Sequence, residues 1–218
     1  MKIKLKGYGS DNLIVFFSGF SIGPSVFEKL ESEKNDILYI YDYESIDEDF
    51  DISGYTKNYH NLYLISYSFG VYIAATLEGV RKVNFKRSIA VNGTLKPVSD
   101  FFGIPEAIFK GTLDKLDDEH LMKFYKRVFG SHYNEVSEIL HFDGNKGKRE
   151  LAAINVYLKS SRLVENIYDV AIIAEKDKIF PPENQINFWQ NEVEKIIIKG
   201  EHFPFYSFTD FGEILSVS

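Results

Sequence analysis

Ser66-Tyr67-Ser68-Phe69-Gly70 follows the apolar run Leu62-Tyr63-Leu64-Ile65 and leads into Val71-Tyr72-Ile73-Ala74-Ala75-Thr76-Leu77. The first run has the length and character of a buried strand, and the second reads as a helix. A strand, a sharp turn centred on a serine and then a helix is the layout of a nucleophile elbow. Such a turn leaves room only for small side chains two residues before and two residues after its centre. Ser66 and Gly70 meet that demand around Ser68, with Ser66 standing where the motif usually has glycine. Centring the turn on Ser66 instead would place Leu64 where only a small side chain fits, so Ser68 is the candidate nucleophile. An ordinary strand end can carry the same short match, so its meaning depends on partners elsewhere.

Two later segments supply them. Val170-Ala171-Ile172-Ile173-Ala174 has a buried-strand pattern and runs into Glu175-Lys176-Asp177-Lys178-Ile179-Phe180-Pro181, an acidic loop closed by a proline at a helix start. Val193-Glu194-Lys195-Ile196-Ile197-Ile198 reads as another strand and is followed by Gly200-Glu201-His202-Phe203-Pro204. The order Ser68, Asp177, His202 is that of the α/β-hydrolases and differs from the chymotrypsin and subtilisin orders. Each residue also follows the C-terminal end of a predicted strand, where open α/β sheets place their ligands.

Those residue types suit one chemistry. A serine hydroxyl is a weak nucleophile at neutral pH and needs an adjacent base. His202 would take its proton and return it to the leaving group, while Asp177 would fix the imidazole tautomer and stabilise the imidazolium. The oxyanion formed on attack needs two preorganised donors. One is expected to be the backbone N–H of Phe69, the residue after the nucleophile. The other is expected from the loop after an early strand. Leu13-Ile14-Val15-Phe16-Phe17 followed by Ser18-Gly19-Phe20 fits that place, with the Phe20 N–H as donor.

Each residue has a simpler reading. Asp177 could be a helix N-cap or a turn residue before a proline-led helix, His202 could be a satisfied surface or core histidine, and Ser18-Gly19 could be a plain turn. His60, His120, His132 and His141 have no metal-ligand spacing and read as structural or surface residues. Asn92-Gly93-Thr94 matches a glycosylation acceptor, but nothing points to secretion.

A chain of 218 residues is one domain, or one domain with an inserted subdomain. It contains no cysteine, which removes disulfide frameworks and thiolate metal sites, and no metal or cofactor is expected. Its net charge of −7 argues against nucleic acid as a partner. Met1-Lys2-Ile3-Lys4-Leu5-Lys6 alternates like a strand, and the apolar run after it is too short for a signal-peptide core or a membrane span. A cytoplasmic setting is the simplest expectation.

Strands are predicted near Leu13–Phe17, Asp36–Tyr41, Leu62–Ile65 and Ser88–Val91, and helices near Pro24–Glu31 and Phe69–Val80. This alternation implies a mostly parallel sheet flanked by helices. After Pro97 the pattern turns helical to about Leu163, and strands resume at Val170. The expected division is an α/β-hydrolase core of residues 1–97 and 164–218, with an inserted helical cap at 98–163. One cap helix is readable in detail. Leu121, Phe124, Tyr125, Val128 and Phe129 share one face. Acidic residues open this helix, Lys126 and Arg127 sit near its end, and Gly130 is placed to cap it. Lys123, Lys126 and Arg127 lie off the apolar face, as either a solvated surface or a docking site for an acidic partner. Lys146, Lys148, Arg149 and Arg162 are candidates to extend that patch.

Taken together, these segments resemble the BioG-type pimeloyl-[acyl-carrier protein] methyl ester esterases. The resemblance rests on Phe16-Phe17-Ser18-Gly19-Phe20, the elbow at Ser68-Phe69-Gly70 and, most specifically, Ala90-Val91-Asn92-Gly93-Thr94 running on to Pro97. Gly103-Ile104-Pro105, Ile108-Phe109, Phe124-Tyr125 to Phe129, Asp177 with Pro181 and Gly200 to Pro204 complete it. It spans nearly the whole chain. Two positions depart from the family pattern: Ser66, and Phe20 where tryptophan is common. The resemblance implies a small α/β-hydrolase of biotin synthesis that converts the pimeloyl-acyl carrier protein methyl ester to pimeloyl-acyl carrier protein and methanol. It implies Ser68, Asp177 and His202 as catalytic residues, Phe20 and Phe69 as oxyanion donors, and Lys123, Lys126 and Arg127 as carrier-protein contacts. A general carboxylesterase or thioesterase is the alternative, and a non-catalytic binding protein of the same fold is a third reading.

Overall fold

The computed structural model describes residues 1–160, 164–190 and 193–217. Arg162 and the expected cap boundary at Leu163 therefore lie outside the described residues. Seven strands, β1 (Lys2–Lys6), β2 (Asn12–Phe17), β3 (Asp36–Tyr41), β4 (Asn61–Tyr67), β5 (Arg87–Val91), β6 (Val170–Ala174) and β7 (Glu194–Ile198), form one sheet. Their order is β1-β3-β2-β4-β5-β6-β7. β1 runs antiparallel to β3 and every other neighbouring pair is parallel.

The strand sequences explain their places. Leu13–Phe17 and Val170–Ala174 are buried at every position, as expected of strands covered by helices on both faces. β1 alternates lysine with aliphatic residues and lies at the edge, where charged side chains discourage pairing with another chain. Beneath the sheet, Phe16 sits 4.7 Å from Phe27, 5.7 Å from Phe205 and 5.2 Å from Phe211, ring centre to ring centre. Much of the phenylalanine excess is spent on this edge-to-face packing.

The helices are α1 (Ser53–Thr56), α2 (Phe69–Thr76), α3 (Glu78–Arg81), α4 (Glu106–Lys115), α5 (Asp118–Phe129), α6 (Tyr133–Val136), α7 (Gly144–Lys159), α8 (Pro182–Trp189) and α9 (Phe211–Leu215). Two expectations are corrected. Pro24–Leu30 forms a 3₁₀ helix and not an α-helix. The helix expected over Phe69–Val80 is two, because Leu77 adopts an extended conformation that turns its side chain into the core, and Glu78 starts a new helix. An acidic residue suits that start.

Between β5 and β6 the described chain is helical, apart from a single bridge joining Val98 to Ile104. α5 matches its reading: Leu121, Phe124, Tyr125, Val128 and Phe129 are all buried. The Asp117 side chain accepts the His120 N–H at 2.8 Å, and Gly130 closes the helix with a φ of 48°. Phe124 reaches Phe20 (5.2 Å between ring centres) and Phe109 of α4 reaches Phe69 (6.0 Å), so these helices cover the C-terminal ends of β2 and β4. Among the described residues no helix is long and apolar enough to cross a membrane.

Candidate active site

Ser68 occupies the junction of β4 and α2 with φ 57° and ψ −124°. Non-glycine residues seldom hold such angles, and where they do the surroundings must enforce them. Here the Ser68 N–H donates to the Val91 carbonyl at 3.0 Å and the Ser68 carbonyl accepts the Val71 N–H at 3.1 Å. The turn is tight because α2 starts directly against β2. A Cβ on Gly70 would lie 2.5 Å from the Ser18 carbonyl oxygen and 2.6 Å from that of Phe17. Gly70→Ala is therefore expected to cost about 2–3 kcal/mol through overpacking. Urea unfolding should show this as a lowered midpoint, whereas an unchanged midpoint would mean that the contact relaxes freely.

Asp177 follows β6 and His202 follows β7, and both are buried. With Nδ1 protonated, His202 donates to Asp177 Oδ2 at 2.8 Å, and the Ser68 hydroxyl lies 3.0 Å from His202 Nε2. The other Asp177 oxygen, Oδ1, accepts the N–H groups of Ile179 and Phe180 at 2.8 and 2.9 Å. Asp177 thus caps the following turn with one oxygen and accepts from the imidazole with the other. Gln185 of α8 adds a bond from Nε2 to Oδ2 at 3.1 Å. Two rings flank the imidazole: Phe180 parallel to it at 5.8 Å and Tyr67 tilted at 5.0 Å. Aromatic faces favour a cation, so they would stabilise this imidazole in its protonated form.

The turn after β2 lies against the serine. A Cβ on Gly19 would come within 3.0 Å of Ser68 Cβ and of the Tyr67 ring. Ser18 anchors this turn, its N–H donating to the Ile40 carbonyl at 2.9 Å and its hydroxyl to the Ile22 carbonyl at 2.7 Å. Neither the Phe20 N–H nor the Phe69 N–H has an acceptor among the described residues, and both side chains are buried. Two uncommitted N–H groups beside a serine can hold a developing oxyanion.

Asn92, beyond the end of β5, was not singled out for this site by local pattern. It is fully buried with a φ of 46°. Its Nδ2 donates to the carbonyls of His202 and Glu201 at 2.8 and 3.2 Å, and its Oδ1 accepts the Ala174 N–H at 2.8 Å. One side chain thereby ties the histidine loop to the end of the strand that carries Asp177. Asn92→Ala is expected to remove about 3 kcal/mol of stability, because it orphans buried backbone groups and forces alanine to a positive φ. For a chain of this size that is a fall of roughly 6–12 °C in Tm. A loss below about 1 kcal/mol would show that water replaces the amide.

A small apolar recess is lined by Phe20, Phe69, Phe109 and Phe124, with the exposed cations Arg127 and Lys178 also on its wall. Lys123, Lys126 and Arg127 are all exposed on α5. Lys123 pairs with Glu119 at 2.5 Å, and Lys126 lies 5.5 Å from the centre of the Tyr133 ring. On α7, Lys146 pairs with Asp42 at 2.9 Å and Arg149 with Glu44 at 3.0 Å, whereas the exposed Lys148 meets the Asp114 backbone carbonyl at 3.5 Å.

Comparison with known proteins meets this geometry directly. The model of the family described as pimeloyl-ACP methyl esterase BioG matches residues 1–214. The chain belongs to that family. It is accordingly an ester hydrolase of biotin synthesis, acting on pimeloyl-ACP methyl ester. The crystal structure of BioG from Haemophilus influenzae superposes with a TM-score of 0.88 at 32% identity, covering 99% of this chain and 100% of that one. An uncharacterised protein of Haemophilus influenzae is 34% identical, over 98% of this chain and 99% of its own length. A malonyl-[acyl-carrier protein] O-methyltransferase of Bacteroides fragilis is 34% identical over 87% of this chain, which matches 39% of that longer protein. A lipase-esterase related protein of Clostridium acetobutylicum shares the fold at 18% identity and a TM-score of 0.66, covering 98% of each chain.

Three residues at or near the site escaped the sequence reading of the chemistry: Gln185, Asn92 and Glu150. The family segment includes Asn92, and an asparagine before a glycine at a strand end is a signal for positive φ. Gln185 and Glu150 carry no such signal, since each looks like any polar residue on a helix.

Proposed function

We propose that this member of the family cleaves the methyl ester of pimeloyl-ACP with Ser68 as nucleophile, His202 as general base and acid, and Asp177 as its orienting carboxylate. The observation that carries the reading is the line from Ser68 Oγ to His202 Nε2 (3.0 Å) and from His202 Nδ1 to Asp177 Oδ2 (2.8 Å). These lengths are within reach for proton transfer.

In this mechanism Ser68 Oγ attacks the ester carbonyl carbon as Nε2 of His202 takes its proton. The negative charge moves to the carbonyl oxygen, where the N–H groups of Phe20 and Phe69 receive it. Collapse breaks the bond to the methoxy oxygen, which leaves as methanol with the proton from His202. Water then gives a proton to His202 and adds to the acyl-serine, and Ser68 departs with that proton, leaving the free carboxylic acid on the carrier. Asp177 keeps Nδ1 protonated and stabilises the imidazolium throughout.

The recess lined by Phe20, Phe69, Phe109 and Phe124 suits an apolar acyl chain. We assign the described part of the insertion, residues 98–160, as the cap over the site, and the exposed Lys123, Lys126 and Arg127 on its second helix as the landing place of an acidic acyl carrier protein. The cytoplasm is the setting this substrate implies. The Bacteroides fragilis relative supports the substrate class: an O-methyltransferase acting on an acyl-carrier-bound acid makes the type of ester that this site cleaves.

The test compares methyl pimeloyl-ACP with free dimethyl pimelate. The carrier-bound ester should be preferred at least about tenfold in kcat/KM, through charge steering and remote binding. Lys123→Glu with Lys126→Glu should narrow that gap by raising KM for the carrier substrate alone. Equal specificity constants for the two esters would leave a general carboxylesterase.

A further inference from the structure

The residue after Phe20 is gripped from the cap. Ser21 has a φ of 59°, and three bonds hold it. Its N–H donates to Glu150 Oε1 at 3.3 Å, its carbonyl accepts the Tyr125 hydroxyl at 3.0 Å, and its own hydroxyl lies 2.8 Å from that same phenol. Glu150 lies on α7 and Tyr125 on α5, and each is 1% exposed. Glu150 Oε1 also accepts the Tyr43 N–H at 3.1 Å, and the Tyr43 hydroxyl donates to the Ser18 carbonyl at 2.8 Å. One carboxyl oxygen from the cap thus bridges the loops after β2 and β3, and the turn that presents Phe20 is secured at both ends.

A buried carboxyl is a costly way to fill space. Burial pushes the Glu150 carboxyl up to about 7, the accepted N–H bonds and nearby Lys146 opposing the shift and Asp42 adding to it. In either protonation state one oxygen remains to accept the two N–H groups, so the bridge does not depend on charge. The chemistry proposed above leaves Glu150 without a role, yet it bonds directly to one of the two backbone segments that supply the oxyanion donors.

We propose that Glu150, with Tyr125, is a positioning residue for ester hydrolysis, holding the Ser18–Ile22 turn so that the Phe20 N–H points at the developing oxyanion. The inference rests on the serine-hydrolase reading. Loss of an oxyanion donor lowers kcat by about 10²–10³-fold, and a displacement of about 1 Å is enough to cost about 10²-fold.

Glu150→Ala, Glu150→Gln and Tyr125→Phe test it on the full chain with methyl pimeloyl-ACP. Glu150→Ala should lower kcat by about 30–100-fold with KM within about threefold. Glu150→Gln keeps an acceptor oxygen and should recover most of that loss. Tyr125→Phe keeps the ring, removes the hydroxyl and should lower kcat by about tenfold. A second readout is a trifluoromethyl ketone analogue of the acyl chain, which adds Ser68 to form a tetrahedral oxyanion. Its affinity should fall in step with kcat. Binding of intact substrate, measured with each change placed in Ser68→Ala protein, should not move. Wild-type kcat and analogue affinity in Tyr125→Phe would overturn the proposal even if Glu150→Ala does not fold. So would Glu150→Gln as impaired as Glu150→Ala. Should Ser68→Ala retain turnover, the underlying serine reading fails instead, and the two failures are told apart.

Discussion

Ser68→Ala is expected to lower kcat/KM for methyl pimeloyl-ACP by about 10⁶-fold while leaving the thermal transition near that of the wild type. Removing the nucleophile of a serine hydrolase costs about that much, because the serine and its base act as a unit. A structural cost should be small. Ser68 already holds a strained φ of 57°, and among the described residues its hydroxyl bonds to the imidazole alone. Alanine at the same angles keeps the backbone bonds to Val91 and Val71. A fluorophosphonate probe should label the wild type at this residue alone and leave the variant unmarked. Loss of activity by less than about a hundredfold would point to another nucleophile.

Asp177→Asn is expected to lower kcat by about 10⁴-fold, the size seen when the orienting carboxylate of a triad becomes an amide. The local bonding shows why the replacement is not innocent. Both oxygens of Asp177 only accept: Oδ1 from Ile179 and Phe180, Oδ2 from His202 and Gln185. An asparagine must turn its amide NH₂ toward one of these pairs. Facing the backbone, it sets donor against two donors and loosens the loop. Facing His202, it forces Nδ1 to accept, and Nε2 then carries the proton and cannot receive one from Ser68. The kinetics should show a large fall in kcat with KM little changed. The variant should also melt lower, since a buried donor faces other donors. A variant within tenfold of wild type would remove Asp177 from the chemistry.

Much of this architecture could be read in order along the chain. Leu13–Phe17 and Val170–Ala174 are apolar throughout because both of their faces are covered, so composition alone marks them as buried strands. Ser68, Asp177 and His202 each lie within a few residues of a strand readable in the sequence, although β7 before His202 is an edge strand that carries Glu194 and Lys195. The break at Leu77 was hidden, since a run from Val71 to Leu77 that is apolar but for Thr76 has the same local signature whether or not the helix continues. The roles of Asn92 and Glu150 were hidden for a different reason. Asn92 bonds to Glu201 across 109 positions, and Glu150 bonds to Ser21 across 129. Contacts that distant leave no periodicity, and the triplet at Asn92 offers locally no more than a match to a glycosylation acceptor that nothing else in the sequence supports. The cations on α7 illustrate the same limit. Lys146 and Arg149 looked free until the loop after β3 brought Asp42 and Glu44 to them.

The bonds from Tyr125 and Glu150 to Ser21 also bear on how such an enzyme could be re-engineered. Lid exchange between related hydrolases treats the inserted helices as a detachable specificity module on an autonomous catalytic base. In this chain the insertion is partly framework. Transplanted helices would have to bring a phenol and a carboxyl to the same backbone segment, or the recipient would gain a new acyl pocket over a misaligned reaction centre. Any graft should therefore carry these two side chains and the Ser18–Ile22 turn as one inseparable unit.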